Sequence, residues 1–155
     1  MAHMLAPLNT NPELPVFYNV DGVVGAAPAE NRREDVLLVQ FTFKAIADKP
    51  SNNMTQDEIA VMKAVNVTGT CDTATINAIR VVQKKKKESS PGVVIDGRVS
   101  PAKGTYTYSG SAAWTIAVLN NLLQDRNLDV WPRIDMIASC PAELKAMVKR
   151  ACVGV

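Results

Sequence analysis

The chain has 155 residues, and its 47% share of hydrophobic side chains is enough to build a core, which excludes global disorder. A net charge of +2 and an aromatic share of 5% exclude the strongly basic face and the stacking platform of a dedicated nucleic-acid binder. No apolar run approaches the roughly 18 to 20 residues that span a bilayer, so membrane insertion is not expected.

The opening MAHMLAPLNT lacks both a basic start and a long apolar stretch, so it does not read as a signal peptide, and the chain is expected to be cytoplasmic as synthesised. MAH ahead of Met4 reads as a cloning remnant and holds the single histidine, His3. Setting it aside removes zinc-hydrolase, Ser-His and Cys-His chemistry from consideration. Within VFYNVDGVVG, Asp21-Gly22 between short apolar runs offers a hairpin turn, and residues 16 to 24 are expected as an extended or hairpin segment laid over the domain.

NRREDVLLVQFTFKAIAD supports two patterns. Leu37, Val39, Phe41 and Phe43 alternate with polar neighbours, as in a strand. Asn31 with Glu34 makes a capping-box start, and Val36, Val39, Phe43 and Ile46 share one helical face. The next segment is clearer: Thr55 and Glu58 form a capping box ahead of Ile59, Met62 and Val65 at helical spacing. In VTGTCDTATINAIRVVQ, Gly69 permits a turn and Asp72 caps a helix that buries Ile76, Ile79 and Val82. Lys84 to Lys87 end that helix, either as a solvated terminus that opposes the macrodipole or as a contact to an anionic polymer.

ESSPGVVIDGRVSPAKGTYTYSG is turn-rich, and Asp96-Gly97 between 93–95 and 98–99 predicts a second hairpin. SAAWTIAVLNNLLQDR predicts a helix over 111–125 with Ala113, Trp114, Ile116, Leu119 and Leu123 facing inward. A last helix starts at the favoured first-turn residue Pro141 and carries Leu144, Met147, Val148 and Ala151 on one face. Cys140 and Cys152 at its two ends lie about 18 Å apart at roughly 1.5 Å per residue, too far to pair. Cys71 could meet either, but unpaired thiols are the expectation for three scattered cysteines.

Three stretches in order carry a resemblance. EDVLLVQFTF contributes Asp35, Val36, Val39 and Gln40; residues 68 to 83 contribute Gly69, Thr75, Ala78, Ile79 and Gln83; VIDGRVSP contributes Ile95, Asp96, Gly97, Val99 and Pro101. Together they resemble the helical peptidoglycan-binding-domain family across 34 to 103. Thr68 stands at the family's aspartate, Cys71 and Val82 at aromatics, and Asp72 at a glycine. The resemblance implies a mainly α fold: a small orthogonal helical bundle with short β-hairpin elements and extra terminal segments. It settles 35–47 as helix. It divides the chain into an N-terminal extension (1–30), a peptidoglycan-binding-like core (31–103) and a C-terminal helical extension packed on that core (104–155).

The implied function is non-catalytic binding of peptidoglycan or another cell-wall polymer, as an effector or tail-associated component. Delivery to the periplasm or wall would then follow a signal-independent route. No cofactor, metal or catalytic residue is expected. The binding face is expected at the 68–72 loop and the Asp96-Gly97 turn, with Thr68, Asp72, Asp96, Arg98 and Tyr106 as ligand-binding residues. Arg98 offers a bidentate grip on a carboxylate and Tyr106 a ring for a sugar face. Tyr106, Tyr108 and Trp114 form either the wall of a glycan site or a plug between the core and the C-terminal helices. Gly69, Thr75, Ala78 and Gln83 read as scaffold, with the Thr75 hydroxyl bonded to backbone in the first helical turn. The alternative is an assembly module on the same fold, partnered by a protein of a secretion or tail apparatus, its groove filled by the terminal segments.

Overall fold

A computed structural model describes residues 2–5, 17–102, 108–109 and 112–151. Helix α1, Arg33–Asp48, packs against the helices at 56–63, 115–126 and 142–151. Residues 35 to 43 and 45 to 47 are all buried, so this helix is covered on every side. That all-round burial explains the strand-like alternation in its sequence: a helix without a wet face shows no helical stripe. Its start differs from the expected capping box. Arg32 occupies the cap position without a side-chain cap bond. Asn31, at φ +52°, instead exchanges two hydrogen bonds with Gly25: its Oδ1 accepts from the Gly25 amide at 2.8 Å and its Nδ2 donates to the Gly25 carbonyl at 3.1 Å.

Helix α2, Gln56–Lys63, has the expected capping box. Thr55 Oγ1 accepts from the Glu58 amide at 3.1 Å, and Glu58 Oε1 accepts from the Thr55 amide at 3.0 Å. Thr55→Ala is expected to cost about 1 kcal/mol, the usual loss for an exposed N-cap, read as a shift of the urea midpoint with unchanged slope. Helix α3, Thr73–Ser89, starts at the Asp72 cap and buries Thr75, Ala78, Ile79, Val82 and Gln83.

Helix α4, Thr115–Arg126, begins later than residue 111. Ala112–Ala113, expected in its first turn, pair instead with Tyr108–Ser109, while Trp114 is the half-buried cap residue. Ile116, Ala117, Val118, Leu119, Asn120 and Leu123 form its buried side. Helix α5, Ala142–Ala151, follows a 3-10 turn at Ile134–Met136 and buries Leu144, Met147 and Val148.

Both expected hairpins are replaced by longer-range pairing. Strand β1, His3–Leu5, pairs antiparallel with β2, Phe17–Asn19; β3, Val24–Gly25, pairs with β4, Arg98–Val99; β5, Tyr108–Ser109, pairs with β6, Ala112–Ala113. His3, set aside with the first residues, therefore belongs to a strand, and Ala2 beside it is buried. Asp21-Gly22 is a corner between β2 and β3. Its two amides donate to the buried Asp35 carboxylate, at 3.1 and 2.9 Å. Residues 93 to 95 form no strand, so Asp96-Gly97 is likewise not a hairpin turn.

Two asparagines fasten the N-terminal segment. Asn120 accepts from the Tyr18 amide at 2.7 Å and donates to the Tyr18 carbonyl at 2.8 Å. Asn19 makes the same paired exchange with the Ala102 backbone, at 3.0 and 3.1 Å. Trp131 meets the Tyr18 ring edge-on at 5.8 Å, and the Tyr18 hydroxyl donates to the Pro132 carbonyl, so the 131–132 loop packs on β2. One apolar cluster runs from Ala2 and Tyr18 through α1, α3 and α4 to Val148 on α5. The fold is mainly helical with short β ribbons. Among the described residues no helix is long and apolar enough to cross a membrane. Cys71 and Cys140 are free thiols, and burial pushes the Cys140 thiol up to about 11; Cys152 lies outside the described residues.

Candidate functional site

Two turns on this fold are held by the same device. Gln40, fully buried on α1, accepts with Oε1 from the amides of Thr68 and Gly69, both at 2.9 Å. Its Nε2 donates to the Thr70 carbonyl at 2.9 Å and to Thr75 Oγ1 at 3.1 Å. Gln83, buried on α3, accepts with Oε1 from the Gly97 amide at 3.0 Å. Its Nε2 faces the Arg98 carbonyl and Asp96 Oδ1, each at 2.9 Å, and Thr115 Oγ1 at 3.1 Å. In both cases a glutamine amide spans a glycine turn and ties it to a threonine in the first turn of the next helix.

The glycines are required by conformation: φ is +82° at Gly69 and +71° at Gly97, a region that side chains with a Cβ enter at a cost. A chain of backbone contacts brings the two turns to one face. The Ala26 amide donates to the Gly97 carbonyl at 3.0 Å, and the Cys71 thiol lies 3.8 Å from the Gly25 carbonyl. Residues 24 to 27 thus lie between the 68–72 loop and the 96–98 turn and touch both.

The individual side chains are more engaged than expected. Thr68 is exposed, but its Oγ1 closes a small turn on the Thr70 amide and carbonyl, both at 3.2 Å. Asp72 is exposed and caps α3: Oδ1 accepts from the Thr75 hydroxyl at 2.6 Å and the Thr75 amide at 2.9 Å. Those two bonds hold the Asp72 carboxyl below its ordinary value. The Thr75 hydroxyl therefore bonds the Asp72 side chain and Gln40, where backbone was expected. Asp96 is half-buried and uses Oδ1 on Gln83 and on the Arg98 amide, the latter at 3.0 Å. Arg98 donates through Nη2 to the Ala27 carbonyl at 3.1 Å, and its buried Nε has no partner among the described residues. Tyr106 lies outside the described residues.

Two further arginines border this face, and neither stood out in the sequence. Arg33 covers Gly69, where a Cβ would come within 2.7 Å of its Nη1. That Nη1 donates to the Thr68 carbonyl at 3.0 Å, while Nε pairs with Glu143 at 2.9 Å. Arg80 covers Gly97 in the same way, at 3.0 Å from Nε, is exposed, and makes no hydrogen bond or ion pair among the described residues. Arg33 precedes Gln40 by seven positions and Arg80 precedes Gln83 by three, so no common spacing announces them.

The lysine run closes the end of α3. Lys87 donates to the carbonyls of Pro91 and Val93 at 3.0 and 2.8 Å, and Lys85 to the Asn53 carbonyl at 2.7 Å and Glu58 at 3.1 Å. Chemically, the two turns have their amides satisfied within the protein, and the guanidinium groups of Arg80 and Arg98 are the donors suited to oxyanions. Among the described residues no group of three His, Cys, Asp or Glu is placed to hold a metal. Comparison with protein-family models, with curated proteins and with solved structures returned no match for this chain.

Proposed function

We propose that the protein is a non-catalytic binding module for the bacterial cell wall, a helical bundle of the peptidoglycan-binding-domain type that docks through its two clamped turns. The observation that carries this reading is the placement of the Gly69 and Gly97 turns on one face with Arg80 and Arg98 beside them. A guanidinium without a protein carboxylate is a ready partner for the carboxylates of a peptide-bearing polymer. The second reading, an assembly module, is favoured by one specific feature. Residues 24 to 27 occupy the space between the turns, and Arg98 is already bonded to Ala27.

Co-sedimentation with purified sacculi separates the two. Wild-type protein is expected to pellet with the wall, and the Arg98→Ala, Tyr106→Ala double variant to remain in the supernatant while keeping its helical circular dichroism. Wild type in the supernatant at every wall concentration would reject wall binding and leave the assembly module.

A further inference from the structure

A groove of about 560 Å³ lies between α2, α3 and α4, and it shares no lining residue with the two clamped turns. Its volume falls within the roughly 300 to 1,000 Å³ typical of small-molecule sites. Ile46, Met62, Val82 and Val118 supply its buried apolar lining, and Val81 and Leu122 are half-buried there.

One charged group in this groove is not neutralised. Arg126, the last residue of α4, is half-buried, and among the described residues no carboxylate pairs with it. Its Nε and Nη1 donate to the carbonyls of Lys49 and Leu122 at 2.8 and 2.9 Å. Among the described residues its Nη2 reaches only the Met54 thioether, at 3.5 Å. A thioether is a weak acceptor, so a guanidinium nitrogen is directed at the groove wall with little to satisfy it. Burial lowers the pKa of Arg126 against the small opposing effect of Asp125, the expected direction for a cation taken partly out of water.

The other charges are differently placed. Lys85 and Glu58 neutralise each other at 3.1 Å, Lys86 is half-buried in the lining and engaged in a contact of its own, and Glu88 on the rim is exposed, so solvent screens it. An apolar trough with one uncompensated guanidinium calls for a ligand of matching polarity.

We propose that this groove binds a small amphipathic carboxylate, an apolar chain ending in a carboxylate group, with the chain along Val81, Val118 and Leu122 and the head on Arg126. The carboxylate would replace the thioether contact by a charge-assisted bond, roughly twice as strong as a neutral one. The two bonds from Arg126 to backbone fix the guanidinium in place, so little side-chain freedom is lost on binding.

The test is a titration of the isotopically labelled full chain, followed by amide NMR, with sodium decanoate, decylammonium and acetate as probes. Decanoate is expected to move the signals of Val81, Val118, Leu122 and Arg126 and to saturate with a Kd below about 1 mM. Decylammonium, equal in chain length and opposite in charge, should bind at least about tenfold more weakly. Acetate should move none of these signals. Arg126→Gln should lower decanoate affinity to the decylammonium level, and Leu122→Trp should fill the trough and abolish binding. Equal affinity for decanoate and decylammonium would overturn the proposal, as would shifts confined to other residues or undiminished decanoate binding by Leu122→Trp. Should Arg126→Gln fail to fold, the head-group comparison and Leu122→Trp decide the matter by themselves.

Discussion

Gln40→Leu is expected to lower the stability of the protein by about 2 to 4 kcal/mol, counting the buried Gly69 amide left unsatisfied at about 1 to 3 kcal/mol and the bonds lost at Thr70 and Thr75. Leucine is close to glutamine in volume, so the substitution opens no large cavity and isolates the polar term. The Gly69 amide loses its acceptor inside the protein, and the Thr70 carbonyl and Thr75 hydroxyl lose a donor. Water reaches this point poorly because Gln40 is fully buried and Gly69 is buried with it. Equilibrium urea unfolding measures the effect. A loss below about 1 kcal/mol would mean that solvent replaces the side-chain amide and that the clamp is ornamental.

Gly25→Ala is expected to be as damaging for a different reason, at about 3 kcal/mol or more. At φ +128° an added Cβ would stand 2.0 Å from the Gly97 carbonyl oxygen. That atom is backbone and accepts from the Ala26 amide, so relieving the clash breaks the β3–β4 pairing. Gly22→Ala is the internal control. Its Cβ would meet only the ends of the Glu30 and Arg32 side chains, at 3.1 and 3.2 Å, and these can swing aside. A cost under about 1 kcal/mol is expected there. Thermal unfolding of both variants side by side checks the contrast. Equal losses would show that Gly25 is not held against the Gly97 turn.

The helices that sequence located well, α2 and α3, are those whose signals are local. Thr55 with Glu58 and Asp72 with Thr75 make their caps within one turn, and a single apolar stripe follows each. Helix α1 was ambiguous because burial on every side erased its periodicity, and its start was misread because Asn31 bonds across to Gly25. The two Asp-Gly pairs were misread as hairpins for a related reason. Their backbone donors are taken by Asp35 and Gln83, side chains at least 13 residues away, which no local pattern displays. For the candidate site, the turns at 68–72 and 96–98 were legible as turns, because Gly69 and Gly97 with positive φ, each near an aspartate, leave a sequence mark. The bridging role of residues 24 to 27 and the presence of Arg33 and Arg80 were not. They depend on how distant elements pack, and arginine carries no signature of the turn it covers.

The Asn120 clasp on Tyr18 has a consequence for the order in which the chain can be completed during synthesis. Gln83 and Gly97 are 14 residues apart, whereas Tyr18 and Asn120 are separated by 102. With closure entropy growing as 1.5RT ln n, the longer loop costs about 1.8 kcal/mol more to close. The glutamine contacts to Gly69 and Gly97 can therefore form while much of α4 is still being made. The N-terminal segment must wait for residue 120 to emerge before Tyr18 has its partner. Residues 24 to 27 are held by Asn31 and the Gly97 turn, so the chain between the turns does not wait for residue 120. The segment at Tyr18, translated well before α4, is secured only once α4 exists.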